Sequence, residues 1–407
     1  MNGPRAWRSP IRGPWLTSVF GLVLLIGIPV EFVTGLISYA AYNPRFSTND
    51  PNPARGLFGL YLFDWLTSPS WVYRLTEGIH VILGLALVPV VLAKLWSVIP
   101  RLFTWPPWRS VARLLERLSL VLVVGGVLFE MTTGILNIDY LTTIDFYSAH
   151  FFGAWAFIAG FVVHVCVKFG EMLRALRSRS LRTELRTGLD GTRPEDVDHG
   201  LVPPEPAAPT ISRRGVLALV GGTSLVVCAV TAGENVGGFM RRFALVGTHY
   251  RSSGPAGNDF PVNHTAAGRR ITAAQTGPDW RLVLVGARRL SVSRAQLTSM
   301  PLTTAHLPIA CTEGWSTTQA WTGVPLAALA RLVGIERPGR AQIESLDSLT
   351  VTLSAAQVCS AGSMVALRVN GADLSLDHGF PARVMVPAAP GTHNVKWIAR
   401  IEFSEAS

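Results

Sequence analysis

One cysteine stands out among the residues of this chain that could bind a redox metal. Cys311 follows the short apolar run Leu307, Ile309 and Ala310, and the turn pattern Thr-Glu-Gly comes directly after it. The run predicts a strand that ends near Cys311 and leads into a loop. A thiolate at a strand end can approach a cofactor, and soft sulfur ligands suit redox metals. The alternative for a lone cysteine is a small buried packing residue.

Other groups that bind anions flank this cysteine within residues 259–397. They lie in three segments: DFPVNH (259–264), HGFPAR (378–383) and GTHNVKW (391–397). Arg and Lys side chains, with backbone N–H groups opened by glycine, are the donors that a phosphate prefers. The Asn-Gly pair at 370–371 predicts a hairpin turn by itself. Without a relative to compare, these charged residues would be scattered surface groups.

In this order, the segments resemble the molybdopterin-binding domain of the sulfite oxidase family. The resemblance covers nearly all of residues 240–407 and implies an exported domain that carries Mo-molybdopterin, with Cys311 as the thiolate ligand of molybdenum. It implies cofactor contacts from six further residues: Asn263, His264, His378, Arg383, His393 and Lys396. The family's arginine before the Asn-His pair is Val262 here, and a valine cannot pair with sulfite. Val262 therefore weakens the expectation that sulfite is the substrate.

Three of the nine histidines lie in the strongly apolar first part of the chain: His80, His150 and His164. Ionisable residues inside a membrane are costly and indicate function. His150 and His164 are 14 residues apart, which on a helix is a rise of roughly 21 Å with both on one face. His80 and His150 both lie near the outer starts of their spans, so we predict that they ligate one haem. A pairing of His80 with His164 stays open, as does a haem-free bundle whose histidines only hydrogen-bond to neighbouring helices.

This arrangement resembles the di-haem cytochrome b membrane subunits of formate dehydrogenases and hydrogenases. The resemblance implies one or two haem b groups and exchange of electrons with quinone. In that family the inner haem takes a ligand from the first span, which has no histidine here, and Lys94 stands 14 residues after His80. His164 is therefore a haem ligand only in second place. A quinone site near the haem would draw on Arg74, Glu77 or Lys94.

Composition and hydropathy predict the helices that must carry these histidines. The chain is 49% hydrophobic and only 15% charged, and five apolar runs are long enough to cross a bilayer. The predicted spans are 16–42, 71–98, 118–138, 146–169 and 213–234. Arginines at the N-terminus, after the second span and after the fourth place the N-terminus in the cytoplasm and residues 43–70 outside. The net charge of +10 is thus a topology feature, and no nucleic-acid partner is expected.

Two short patterns add to this plan. Residues 31–35 (EFVTG) and 130–134 (EMTTG) end the first and third spans, which suggests two related hairpins. Ser212, Arg213 and Arg214, before Gly-Val-Leu, resemble a twin-arginine export signal, with a simple basic membrane anchor as the alternative. The fifth helix then runs outward, and the residues after it lie outside the cytoplasmic membrane.

The expected fold is an all-α transmembrane four-helix bundle plus a fifth transmembrane helix, followed by an α+β sulfite oxidase-like molybdopterin domain. The boundaries are 1–172 for the haem domain, 173–212 for a cytoplasmic linker, 213–234 for the fifth helix and 235–407 for the exterior domain. The expected function is a molybdenum oxidoreductase that links a small or protein-borne sulfur or oxo substrate to quinone, as methionine sulfoxide reductase systems do. A sulfite or organosulfur dehydrogenase is one alternative, and a haem electron carrier with a degenerate, binding-only pterin domain is another.

Overall fold

The long apolar runs of the first part of the chain form helices, as predicted. The computed structural model describes residues 8–52, 63–102, 111–138, 141, 143–196, 200–203, 205–244, 255 and 257–406. The helices of this part are α1 (Pro14–Ala41), α2 (Val72–Leu102), α3 (Val111–Ile138), α4 (Phe146–Ser178), α5 (Leu181–Arg186) and α6 (Arg213–Val236). All except α5 are long and apolar enough to cross a bilayer. Residues 1–7 and 103–110, which contribute to the predicted orientation, lie outside the described residues.

The chain forms two compact units whose limits differ from the predicted domain boundaries. The helical unit comprises Met1–Val33, His80–Asn137 and Thr142–Thr231. The sheet unit comprises Thr34–Ile79, Ile138–Leu141 and Ala232–Ser407. The predicted boundary at 235 lies three residues from the observed start of the last segment. The predicted 1–172 region is divided, because residues 34–79 group with the C-terminal residues.

Within the helical unit, glycines let α3 and α4 approach closely. A Cβ atom added to Gly126 would lie 2.9 Å from the Cβ of Phe157, and one added to Gly160 would lie 2.6 Å from the Cβ of Leu122. Small residues at such crossings allow van der Waals packing between apolar helices. The crossing fixes the depth of α4, which carries two of the three histidines of interest.

The segment predicted as a linker is folded against the starts of α1 and α6. Glu195 accepts a hydrogen bond from the backbone N–H of Trp15, with 3.1 Å between N and Oε2, and burial raises the pKa of its carboxyl. Arg213 is 1% exposed; its Nη1 lies 3.5 Å from Glu184 Oε2, and its Nη2 donates to the carbonyl of Arg193 at 2.9 Å. The first arginine of the twin-arginine pattern is therefore buried and paired with a carboxylate. An export role for the pattern stays a prediction.

The C-terminal part of the sheet unit is the α+β domain that was predicted. Its strands are β1 (Arg281–Val285), β2 (Arg289–Ser293), β3 (Thr303–Ala310), β4 (Ser316–Pro325), β5 (Pro338–Ser345), β6 (Thr350–Ser354), β7 (Met364–Val369), β8 (Ala372–Asp373), β9 (Arg383–Met385) and β10 (Ile398–Glu405). They form two sheets, ordered β2-β1-β10-β5-β6 and β3-β4-β7-β8, with β9 also paired to β7. Three short helices accompany them: α7 (Arg294–Ser299), α8 (Leu326–Leu332) and α9 (Ala355–Cys359).

Both sheets contribute to one apolar core. Leu282 and Ile401 from the first sheet, Val365 from the second and Leu329 from α8 are all 0% exposed in this core. The predicted Asn-Gly turn is confirmed: Asn370 and Gly371 have φ of +50° and +81° and join β7 to β8. Both values lie in the left-handed region that this type of hairpin requires. The two sheets and their shared core therefore hold the loops at the strand ends in place.

Candidate functional site

Cys311 occupies the position that the sequence predicted for it. Strand β3 ends one residue before it, and β4 begins at Ser316. Between them, the N–H of Cys311 donates to the carbonyl of Trp315 at 3.0 Å, and the N–H of Gly314 donates to the carbonyl of Cys311 at 3.0 Å. The predicted strand end and the turn that follows it are both confirmed. The cysteine thus sits on a short hydrogen-bonded loop between paired strands.

The thiol of Cys311 is enclosed by segments that come from far along the chain. The amide nitrogen of Asn263 lies 3.7 Å from its Sγ and donates to it. A Cβ atom added to Gly391 would lie 3.6 Å from this Sγ and 3.0 Å from the carbonyl oxygen of Ala310. Burial raises the pKa of the Cys311 thiol to about 11. The thiol is therefore neutral at pH 7 unless a metal cation replaces its proton.

Two buried cations lie in the same group of segments. Lys396 donates from Nζ to the carbonyls of His264 and Asp377, both at 2.8 Å. Arg383 donates from Nη2 to the carbonyl of Asn394 at 2.8 Å. Burial lowers the pKa of Lys396 to about 7 and that of Arg383 to about 9. Carbonyls alone do not neutralise these cations, so an anionic ligand would be favoured here.

His378 is joined to the fold through both ring nitrogens. Its Nδ1 lies 2.8 Å from Ser375 Oγ, and its Nε2 lies 3.2 Å from the carbonyl oxygen of Phe260. Because a carbonyl only accepts, Nε2 carries the proton and Nδ1 accepts from the hydroxyl. Burial lowers the pKa of His378 to about 3, so the ring is neutral. In the structure His378 fixes the segment of Phe260, which leads into Asn263 and His264; its predicted cofactor contact stays a prediction.

His393 presents the opposite situation. It lies in a 3-10 helix, Gly391–His393, and burial lowers its pKa to about 4. Both of its ring nitrogens are buried and have no hydrogen-bond partner among the described residues. The same holds for four other atoms in these segments: Thr392 Oγ1, Asn394 Nδ2, Arg383 Nε and Glu313 Oε1. Buried polar atoms are nearly always hydrogen-bonded, so this set of donors and acceptors fits a polar ligand such as a pterin with its phosphate.

Sequence reasoning missed the contribution of residues 34–79 to this region. The ring of Tyr42 stands edge-on to the ring of His393, with 5.7 Å between their centres. Trp65 donates from Nε1 to the carbonyl of Ala388 at 2.6 Å, and it packs in one cluster with Ala310. Thr392, Asn394 and Glu313 were missed as well, although they lie inside the segments that carried the resemblance. No pattern in the sequence pointed to Tyr42 or Trp65.

In the helical unit, two of the three predicted histidines come together. The ring centres of His80 and His150 are 6.2 Å apart, and the ring planes are perpendicular, at 88°. His80 Nδ1 lies 3.0 Å from the carbonyl oxygen of Glu31, and His150 Nδ1 lies 2.9 Å from Thr133 Oγ1. His164 instead lines a cavity of about 430 Å³ together with Lys94. The structure thus brings His80 close to His150, and haem ligation by either pair of histidines stays a prediction.

Comparison with known proteins identifies the C-terminal part of the chain. Residues 270–407 match the family described as "Oxidoreductase molybdopterin binding domain". The chain is 36% identical over 95 residues to nitrate reductase (NADPH) of Beauveria bassiana, covering 21% of this chain and 11% of that protein. It is 33% identical over 99 residues to mitochondrial sulfite oxidase of Macaca fascicularis, covering 22% of this chain and 18% of that protein. The chain therefore spans less than a fifth of the length of these two relatives.

A bacterial relative covers more of the chain. The uncharacterized oxidoreductase YuiH of Bacillus subtilis is 26% identical over 150 residues, which are 36% of this chain and 74% of that protein. The residues matched by the family model include Cys311, and the predicted cytochrome b resemblance stays a prediction. Residues 270–407 therefore match a molybdopterin-binding oxidoreductase domain, and the chain is similar over part of its length to sulfite oxidase and nitrate reductase.

Proposed function

We propose that this chain is a membrane-bound molybdenum oxidoreductase that exchanges electrons between an oxo-transfer centre at Cys311 and quinone, through haem in the helical unit. The observation that carries the proposal is the set of buried polar atoms without hydrogen bonds that follows Gly391, beside the thiol of Cys311. A polar, anionic cofactor would satisfy these atoms, and the family match supplies its identity as molybdopterin.

Bound through Cys311, molybdenum would supply two-electron oxo transfer. The residues around it have separate tasks. Asn263 donates toward Sγ and so stabilises the thiolate form. Gly391 leaves space beside Sγ because it has no side chain. Lys396 and Arg383 offer positive charge to the cofactor's phosphate, and burial excludes the water that would weaken these charge interactions.

The histidine pair of the helical unit fits a haem with two axial imidazoles. The observed separation between His80 and His150 is 6.2 Å. Because the carbonyl of Glu31 only accepts, Nδ1 of His80 carries the proton and Nε2 keeps its lone pair for a metal. We therefore assign the haem to His80 and His150, and we give His164 a different role.

The cavity beside His164 is the proposed quinone site. It has a volume of about 430 Å³ and is lined mainly by apolar residues of α1, α2, α3 and α4. Lys94, which donates to the carbonyl of Thr17 at 2.7 Å, and His164 are polar groups in its wall. A quinone has an apolar tail and two carbonyl acceptors, which suits such a lining. The other two residues predicted for the quinone site bond to the protein itself. Arg74 donates to the carbonyl of Val236, and Glu77 accepts from the hydroxyl of Ser38.

The residue before Asn263 bears on the direction of the reaction. Val262 is 2% exposed and offers no charge to a sulfite dianion. A neutral sulfoxide needs no such partner. The favoured reaction is therefore the reduction of a sulfoxide, free or within a protein, in which two electrons and two protons convert it to a thioether and water. The second candidate is the oxidative reaction, in which a sulfite or organosulfur dehydrogenase passes electrons to quinone. The similarity to sulfite oxidase supports it.

The test uses the full-length protein in detergent under anaerobic conditions. Oxidation of a quinol is followed while methionine sulfoxide, dimethyl sulfoxide, an N-oxide or nitrate is supplied, and quinone reduction is followed with sulfite. Quinol oxidation that requires a sulfoxide and is lost in Cys311→Ala supports the favoured reaction. Quinone reduction by sulfite would establish the dehydrogenase instead. A protein without molybdenum would leave the domain as a binding module and contradict the proposal.

A further inference from the structure

The repeated Glu-x-x-Thr-Gly pattern of α1 and α3 has a structural counterpart. In each case the glutamate lies against a histidine of the next membrane-type helix. Glu31 Oε2 is 3.3 Å from His80 Nδ1, and Glu130 Oε2 is 3.0 Å from His150 Nδ1. The sequence echo therefore marks two equivalent carboxylate–imidazole pairs within the helical unit.

The side chains of both pairs are largely shielded from solvent. The side chains of Glu31 and Glu130 are 20% and 13% exposed, and those of His80 and His150 are each 23% exposed. A carboxylate accepts from a neutral imidazole only at a protonated nitrogen. In each pair Nδ1 is the ring nitrogen nearest the carboxylate, and it also contacts a second oxygen, the carbonyl of Glu31 or Oγ1 of Thr133. A proton on Nδ1 leaves Nε2 unprotonated in both imidazoles. Two rings with the same tautomer and centres 6.2 Å apart are suited to bind opposite faces of one metal.

Glycines on the histidine helices make room for these carboxylates. Gly84 lies one turn after His80, and a Cβ atom there would be 3.3 Å from Glu31 Oε2. Gly153 lies one turn after His150, and a Cβ atom there would collide with Glu130 Oε1. A Cβ atom at Gly153 would also lie 2.7 Å from the ring of Phe129. The glutamate, the histidine and the glycine thus recur as a set of three on both sides.

We propose that Glu31 and Glu130 are positioning residues for a haem: they fix Nδ1 of His80 and His150 and lower the reduction potential of the iron between them. This inference rests on the proposed haem. A carboxylate at the outer nitrogen makes an imidazole a stronger electron donor. Two anionic partners also favour the ferric form, which carries one more positive charge than the ferrous form.

The test is a spectroelectrochemical titration of the haem in the full-length, detergent-purified protein. The variants are Glu31→Gln, Glu130→Gln and their combination, since glutamine keeps the size of the side chain and removes the charge. We expect haem to be retained and the ratio of reduced to oxidised haem at a fixed potential to rise about tenfold per substitution, or about 59 mV for one electron. Glu205→Gln, which changes an exposed carboxylate of the helical unit paired with Arg8, is the control and should leave the potential unchanged.

A second pair of variants keeps the test informative if the glutamine variants lose haem or misfold. Gly153→Ala and Gly84→Ala keep both carboxylates but push them away from the imidazoles. Gly153→Ala should raise the reduction potential of the haem and alter the g values of its ferric electron paramagnetic resonance spectrum. Because a Cβ atom lies closer to the carboxylate at Gly153 than at Gly84, both changes should be larger in Gly153→Ala. Haem retained in all variants at the wild-type potential and g values would overturn the positioning role. Absence of haem from the wild-type protein would overturn the proposed haem itself, which is a distinct result.

Discussion

The sheet unit and the helical unit use buried histidines in contrasting ways. In the sheet unit, the two ring nitrogens of His378 contact Ser375 and Phe260, whereas the ring nitrogens of His393 have no hydrogen-bond partner among the described residues. In the helical unit, His80 and His150 each anchor Nδ1 on a neighbouring helix and face each other. A ring with both nitrogens paired fixes the fold, while a ring with one nitrogen anchored is ready to hold a metal. Burial and residue type alone do not tell these roles apart.

The contrast also separates the candidate site around Cys311 from the proposed haem site of the helical unit. The groups around Cys311 come from segments that follow one another along the sheet unit, and all but the segment with Asn263 and His264 lie within the residues matched by the family model. The pair of His80 and His150 is built from helices that are equivalent by repetition, and its supporting carboxylates lie on two other helices. The first site can be recognised by comparison, and the second depends on contacts in three dimensions.

The largest expected effect comes from removing the thiol. Cys311→Ala should lower turnover by more than about 100-fold, beyond the 10–100-fold typical of residues that only support a metal ligand. Haem content should stay at the wild-type level, because no residue of the histidine pair is changed. Molybdenum analysis, the haem spectrum and turnover are measured on the same sample. Loss of haem together with turnover would break the distinction between the two sites.

The next largest effect is expected in the helical unit. His80→Ala should abolish the haem band and leave the molybdenum content unchanged, because it removes one of two axial ligands. His164→Ala is the matched control: it changes a histidine of the same unit that lines the cavity, so the haem band should persist while the KM for quinol rises. A haem band that disappears in His164→Ala and survives in His80→Ala would reverse the assignment.

A smaller effect is expected at Lys396. Removing one charge-assisted hydrogen bond costs about 1.5–3 kcal/mol, or roughly 10–100-fold in affinity. Lys396→Met should therefore weaken retention of the molybdenum cofactor by about this factor, measured as the molybdenum left after extended dialysis. Lys168→Met, at a lysine of the helical unit, should leave retention unchanged.

The same lysine predicts a pH dependence in the cofactor-free protein. Burial, and next the charge of Arg383, lowers the pKa of Lys396 from 10.5 to about 7. A depressed pKa means that the folded state resists protonation, so its contribution to stability is present above pH 10.5 and is lost as the pH falls through about 7. Thermal unfolding between pH 10 and 6 should show this loss, and Lys396→Met should remove that part of it. An identical pH profile in the variant would contradict the burial of an uncompensated amine.

Several features of the fold could be predicted because they are local. The end of β3 before Cys311, the turn after it and the Asn-Gly hairpin each depend on a few neighbouring residues. The five long helices follow from apolar runs alone. Strand β4 was not predicted, because its threonines and small residues have the composition of a loop. It becomes a strand because it pairs with both β3 and β7.

Other features depend on partners far away in the sequence. Trp65 and Ala388 are 323 residues apart, and nothing near Trp65 indicates that residues 34–79 belong to the sheet unit. The segment after α4 has the composition of a linker, yet Glu195 and Arg213 bury their charges there. In the candidate site, Thr392 and Asn394 were overlooked because only their missing hydrogen bonds mark them.

The smallest expected effect tests the link between residues 34–79 and the candidate site. Trp65→Phe keeps an aromatic side chain but removes the indole N–H. The buried carbonyl of Ala388 then lacks its donor, which costs about 1–3 kcal/mol. The free energy of unfolding of the sheet unit should fall by this amount, which moves the unfolding transition to a lower denaturant concentration. Trp71→Phe, at a tryptophan that is 52% exposed, is the control. An equal change in both variants would mean that the bond from Trp65 does not stabilise the unit.

The most direct measurement is a single-turnover reaction of the full-length protein. The haem is reduced under anaerobic conditions, excess reductant is removed, and a sulfoxide is added while the haem band is recorded. If the centre at Cys311 and the haem at His80 and His150 exchange electrons, the haem reoxidises in the wild-type protein and stays reduced in Cys311→Ala. Reoxidation at the same rate in both proteins would contradict a route through Cys311.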